Sequence, residues 1–86
     1  MTSIAGLGEA ELARIVTAAL WRVAPDLEGE PIDPAVPLRR QFDIDSVDFL
    51  NFVIAIHEAT GLDVPERAYP ELQTLDGCVA WLKKQG

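Results

Sequence analysis

At 86 residues with 49% hydrophobic content, the chain is long enough for one domain with a real core and too short for a second. Its net charge of −7 repels nucleic acid and anionic membrane, and either serves solubility alone or attracts basic partner surfaces. One cysteine cannot close an internal disulfide, and Cys78 with the single His57 cannot assemble a zinc site, so no metal is expected and a reducing, cytoplasmic setting fits.

No basic stretch precedes an apolar run at the N-terminus, so no signal peptide is expected, and no apolar run is long enough for membrane insertion. Residues 1–8 are small and expected to fray. Gly6-Leu7-Gly8 is not a dinucleotide loop: Glu11 stands where the third glycine belongs, and no strand precedes it. From Glu9 to Val23, Leu12, Ile15, Val16, Ala19, Leu20 and Val23 follow the spacing of one buried helical face. Glu9 and Glu11 suit the positive end of that helix, and Pro25 ends it. Trp21 is expected to cover one edge of the core.

Residues 24–45 read as a long loop strapped over the core, carrying Pro25, Pro31, Pro34 and Pro37 with Ile32, Val36, Leu38 and Phe42 as apolar anchors. Such a connection would let two helices lie parallel or non-adjacent. Arg39-Arg40 reads as a solvated pair.

A second helix is predicted over 46–60, closed by Gly61. Nine of its fifteen positions are apolar. Phe49, Leu50, Phe52, Val53 and Ile56 fall on the core arc, with Asp48, Asn51 and Glu58 opposite. Val47 and Ile54 flank the polar stripe. They form either a docking face or a patch under a neighbouring loop, and the helical periodicity favours docking.

Along 62–73, Leu62 and Val64 point inward, Pro65 starts a short helix at its first position and Pro70 stops it. The last helix runs from about Thr74, a cap residue, to Lys84. Leu75, Cys78, Val79 and Leu82 form its buried stripe, which makes Cys78 a core thiol. Lys83 and Lys84 suit its negative end. No strand is predicted, so the fold class is all-α.

Ser46 stands at the head of the second helix between Asp45 and Val47. It is no hydrolase nucleophile, because His57 lies roughly 16 Å along the same helix and no Gly-x-Ser-x-Gly elbow is present. Asp43, Asp45 and Asp48 fail the calcium-loop pattern: the sixth and twelfth places hold Asp48 and Ile54, leaving only weak divalent binding open. A helix tip favours phosphate on the serine oxygen, but position alone favours the plainer role of helix cap.

With its surroundings, Asp45-Ser46-Val47 resembles the Asp-Ser-Leu attachment motif of the acyl carrier protein family. Leu38, Phe42, Asp48, Val47, Ile54, Gly61, Pro65, Leu72, Thr74, Leu75, Val79 and Leu82 continue in register over about residues 9–84. The resemblance implies a four-helix bundle with a long first loop and a short third helix, as one carrier domain over residues 1–86. It implies that Ser46 bears 4′-phosphopantetheine, donated by coenzyme A through a phosphopantetheinyl transferase, and that the chain is a carrier and not an enzyme. It further implies that Asp45, Val47, Asp48, Ile54 and Glu58 are read by acyl-loading, elongating and acyltransferase enzymes with basic docking patches, the carrier being a monomer. Asp43 replaces a frequent glycine and is expected to tolerate the left-handed turn. Asn51, His57, Phe49, Phe52 and Pro70 also depart from the pattern of fatty-acid carriers, which implies a specialised free-standing carrier. A peptidyl, aryl or D-alanyl carrier and a helical interaction module without the arm remain alternatives.

Overall fold

The computed structural model describes residues 6–85. Helix α1 spans Glu9–Val23, as the spacing predicts. Leu12, Val16, Ala19 and Leu20 are buried, while Ile15 and Val23 are half-buried at the margins of the stripe. The Ala24 N–H still donates to Leu20 O (3.0 Å) before Pro25, which lacks a donor, turns the chain into a 3-10 turn at Pro25–Leu27. Of the segment expected to fray, residues 1–5 lie outside the described residues; Leu7 packs partly against the core.

The connection over 24–45 is more structured than a bare loop. Besides the 3-10 turn it contains α2, the single helical turn Leu38–Gln41. The Gln41 side chain clamps the loop: its Nε2 donates to the carbonyls of Asp33 and Val36, and its Oε1 accepts from Asp33 N–H. The loop is also tied across the bundle, through Leu38 N–H to Gln73 O (2.7 Å) and Asp76 N–H to Pro34 O (3.0 Å). These bonds satisfy backbone groups that a strap over a core would otherwise leave unpaired. Leu38 is fully anchored, Ile32, Val36 and Phe42 only partly, and Ile44, absent from the predicted anchors, is buried. Trp21 packs edge-on against Phe42, with ring centroids 6.0 Å apart.

Helix α3 spans Ser46–Thr60 and closes on Gly61, whose φ of 74° is the left-handed cap expected there; its N–H donates to His57 O. Phe49, Phe52, Val53 and Ile56 enter the core together with Ala55 and Thr60. Leu50 does not: it is 47% exposed. At about 100° per residue it lies at the flank of the core arc, beside Ile54, with no element packed over it.

Glu66–Leu72 is a 3-10 helix. Pro65 stands just before its first position, and Pro70 lies inside it without stopping it. The proline ring fits 3-10 dihedrals and removes only its own donor, while buried Ala68 and Leu72 hold the segment down. Helix α4, Leu75–Gln85, starts at Thr74, whose Oγ1 accepts from Gly77 N–H (2.9 Å). Cys78, Val79 and Leu82 are buried as expected; Leu75 is half-buried, and Trp81 completes the buried face instead.

Helix α1 packs against both α3 and α4, so the long loop does not separate α1 from α3; the 3-10 helix packs on α4. These four make an all-α four-helix bundle, with no strand among the described residues. Lys83 Nζ donates to Glu9 (2.7 Å), joining α4 to the start of α1; that hydrogen bond and the ammonium charge hold the Glu9 carboxyl below its usual range. No helix among the described residues is long and apolar enough to cross a membrane.

Candidate functional site at the tip of α3

The chain reaches α3 through Asp43, whose φ of 53° is left-handed, in the conformation that aspartate tolerates better than most residues. Ile44 then plugs into the core and fixes where the helix begins. Asp45 is the N-cap: its Oδ1 accepts from Asp48 N–H at 2.8 Å. Ser46 is therefore the first helical residue and not the cap, and its exposed hydroxyl is released from that role. The backbone N–H groups of Ser46 and Val47 have no partner among the described residues and stand at the positive end of the helix.

Arg39 is exposed, as its sequence context suggests, but its guanidinium is engaged at the tip of α3. From α2 its Nε donates to Ile44 O (3.3 Å) and its Nη2 to Ser46 Oγ (3.2 Å), and the guanidinium carbon lies 6.0 Å from the centroid of the Phe49 ring. Phe49 is braced in turn, edge-on, by Tyr69 (5.7 Å). Nothing periodic points from Arg39 to Ser46. The contact exists because α2 and the Asp43 turn fold the loop back over the tip.

Along α3 from Ser46, Val47 (66% exposed), Leu50 and Ile54 (44%) form one continuous apolar stripe. Leu50 joins the two knobs that the sequence pattern singled out. Asp48 beside them is half-buried. Glu58 is exposed and makes a surface ion pair with Arg22 at 3.2 Å. Asp43, Asp45 and Asp48 do not converge: no metal-ready cluster of His, Cys, Asp and Glu occurs among the described residues. His57 sits further along the same uninterrupted helix, its Nδ1 2.7 Å from Leu62 O, so it does not meet Ser46. Between it and Leu50, an open groove of about 310 Å³ is walled by Val53, Ile54, Val64 and Tyr69.

The family model described as "Phosphopantetheine attachment site" matches residues 17–82, well over half of the chain and every element around the tip. The chain belongs to this family. Members of the phosphopantetheine attachment family carry covalently attached 4′-phosphopantetheine. In this chain Ser46 is exposed at a helix start, and the free N–H groups and the guanidinium beside it fit a phosphodiester. The fold is also similar to the ACP in the crystal structure of the curacin biosynthetic pathway HMG synthase in complex with acetyl donor-ACP. That likeness has a TM-score of 0.67 at 23% identity and covers 93% of this chain and 100% of that one, which is a likeness of fold. No curated protein matches the chain.

Proposed function

We propose that Ser46 bears the 4′-phosphopantetheine arm and that the chain is an acyl carrier protein. It is handed between enzymes of fatty-acid, lipid or polyketide-type synthesis as a substrate, and it does not catalyse their reactions. The observation that carries this reading is the division of labour at the tip. Asp45 takes the cap, which leaves Ser46 exposed beside unpaired backbone donors. A transferase that brings coenzyme A can reach that oxygen without unfolding the helix. When bound, the arm supplies a terminal thiol that holds acyl groups as thioesters.

The rest of the surface suits handover. Val47, Leu50 and Ile54 offer a small apolar centre, and Asp45 and Asp48 add charge that speeds encounter with basic partners. So small a patch favours weak, brief docking of the transferase and of acyl-loading, elongating and acyltransferase enzymes. The sealed Cys78 leaves no competing surface thiol among the described residues, which suits thioester traffic in a cytoplasmic setting.

Intact-mass measurement after incubation with coenzyme A and a promiscuous phosphopantetheinyl transferase tests the reading. The expected result is one phosphopantetheine on the wild type and none on Ser46→Ala. An unmodified wild type, or a gain that persists in Ser46→Ala, overturns it.

A further inference from the structure

Arg39 makes two directed contacts at the tip of α3. One, from Nε to Ile44 O, is local and closes the turn. The other, from Nη2 to Ser46 Oγ, serves no capping need, because Asp45 already caps the helix. The guanidinium is further restrained by Phe49, which Tyr69 holds in place. The cation is thus kept beside one hydroxyl, and much of the entropy of ordering a long side chain is already lost before anything binds.

We infer that Arg39 is the carrier's own clamp for the root of its arm, pairing with the phosphodiester on Ser46; this rests on Ser46 being the attachment residue. A phosphodiester on that oxygen carries one negative charge shared by two non-bridging oxygens, two bonds beyond Oγ. Nη2, already 3.2 Å from Oγ, is the donor that would pair with them, with Nε on Ile44 O. Charge-assisted bonds from guanidinium to phosphate are stronger than the present bond to a neutral hydroxyl. The need is electrostatic as well: Asp43, Asp45 and Asp48 already load this tip with negative charge, and the phosphodiester adds to it. Arg39 offsets that addition from within the chain and holds the root of the arm against the α2–α3 corner while its distal end stays free. It is a positioning residue and performs no chemistry.

The test uses wild-type carrier before and after loading, with loaded Arg39→Gln, Arg39→Lys and Arg40→Gln, all brought to full loading by mass. In the wild type, the Arg39 Nε–H resonance is expected to shift on loading. The ³¹P resonance should also move as rising salt screens the pair. In Arg39→Gln the ³¹P resonance should differ from wild type and lose its salt dependence, and the pantetheine amide nearest the phosphate should become more mobile. Arg39→Lys should restore part of the salt dependence, and Arg40→Gln should match wild type. An Arg39 Nε–H resonance indifferent to loading overturns the clamp and needs no variant to fold, as does a ³¹P signal identical in wild type and Arg39→Gln. Failure of the wild type to load overturns the Ser46 reading itself, whereas a loaded carrier indifferent to Arg39 overturns the clamp alone.

Discussion

Helices α3 and α4 begin alike and end up in opposite circumstances. Each is capped by the side chain just before it, Asp45 on the Asp48 N–H and Thr74 on the Gly77 N–H. At α4 the tip is then sealed. Asp76 N–H is taken by Pro34 O, the Glu71 carbonyl lies against Gly77 Cα, and Cys78 is fully buried with its thiol on Leu72 O. At α3 the loop that folds back brings only Arg39, bonded to Ser46 Oγ and Ile44 O, and leaves Ser46 and Val47 exposed. The same kind of side-chain cap therefore sits at a closed joint in one place and at an open candidate attachment point in the other. The difference is made by what the loops bring to each tip, and it separates the two nucleophile-bearing residues: the serine is offered and the cysteine is withdrawn.

Adding one methyl group is the hardest test of the sealed joint. A Cβ at Gly77 would collide with the Glu71 backbone carbonyl and crowd Thr74 Oγ1. Gly77→Ala should therefore lower stability by about 1–3 kcal/mol in chemical denaturation, although alanine is the better helix former. An unchanged or raised midpoint would mean that the joint is loose.

Burial pushes the Cys78 thiol up to about 12 from an ordinary value of 9.0. Between those values the unfolded chain releases its proton and the folded chain keeps it. Stability should accordingly fall as pH rises above about 9, approaching 1.4 kcal/mol per pH unit for this group at the upper limit. The alkaline slope should be shallower in Cys78→Ala, and thiol-reactive reagents should label native wild type far more slowly than unfolded chain.

Removing the caps compares the two starts directly. Asp45→Ala and Thr74→Ala should each cost about 1 kcal/mol, by loss of one hydrogen bond to an orphan backbone donor. If tertiary surroundings govern the consequences, hydrogen exchange should rise only around residues 46–49 in the first variant. In the second it should spread to the 34–38 strap that shares the joint.

The smallest expected effect on folding lies on the exposed stripe. Val47→Ser should change stability by no more than about 0.5 kcal/mol, yet weaken docking to the transferase, read as a raised KM for the carrier with coenzyme A saturating. A large loss of stability would show Val47 to be structural.

Much of this was legible along the chain. The bounds of α1 and α3, the left-handed Gly61, the Thr74 cap and the core role of Cys78 all follow from local rules: apolar period, capping chemistry and the steric freedom of glycine. The Asp45-Ser46-Val47 motif and its register marked the candidate site, because a covalent attachment point is a local sequence feature read by another enzyme.

What the sequence could not decide by itself is what each residue meets across the bundle. Leu50 satisfies the core period but sits at its flank, where no element arrives to cover it. Ser46 and Asp45 are both good caps, and the Asp43 turn, pinned by buried Ile44, settled that the aspartate would serve. Gln41, Gly77 and Arg39 carry no periodic signal at all; their roles arise from backbone and side-chain partners brought near by the long loop. Propensity and periodicity act over a few residues, whereas burial and hydrogen-bond partnership are set by segments distant in sequence. The helices were therefore written locally, and the tertiary structure alone determined which tip stayed open.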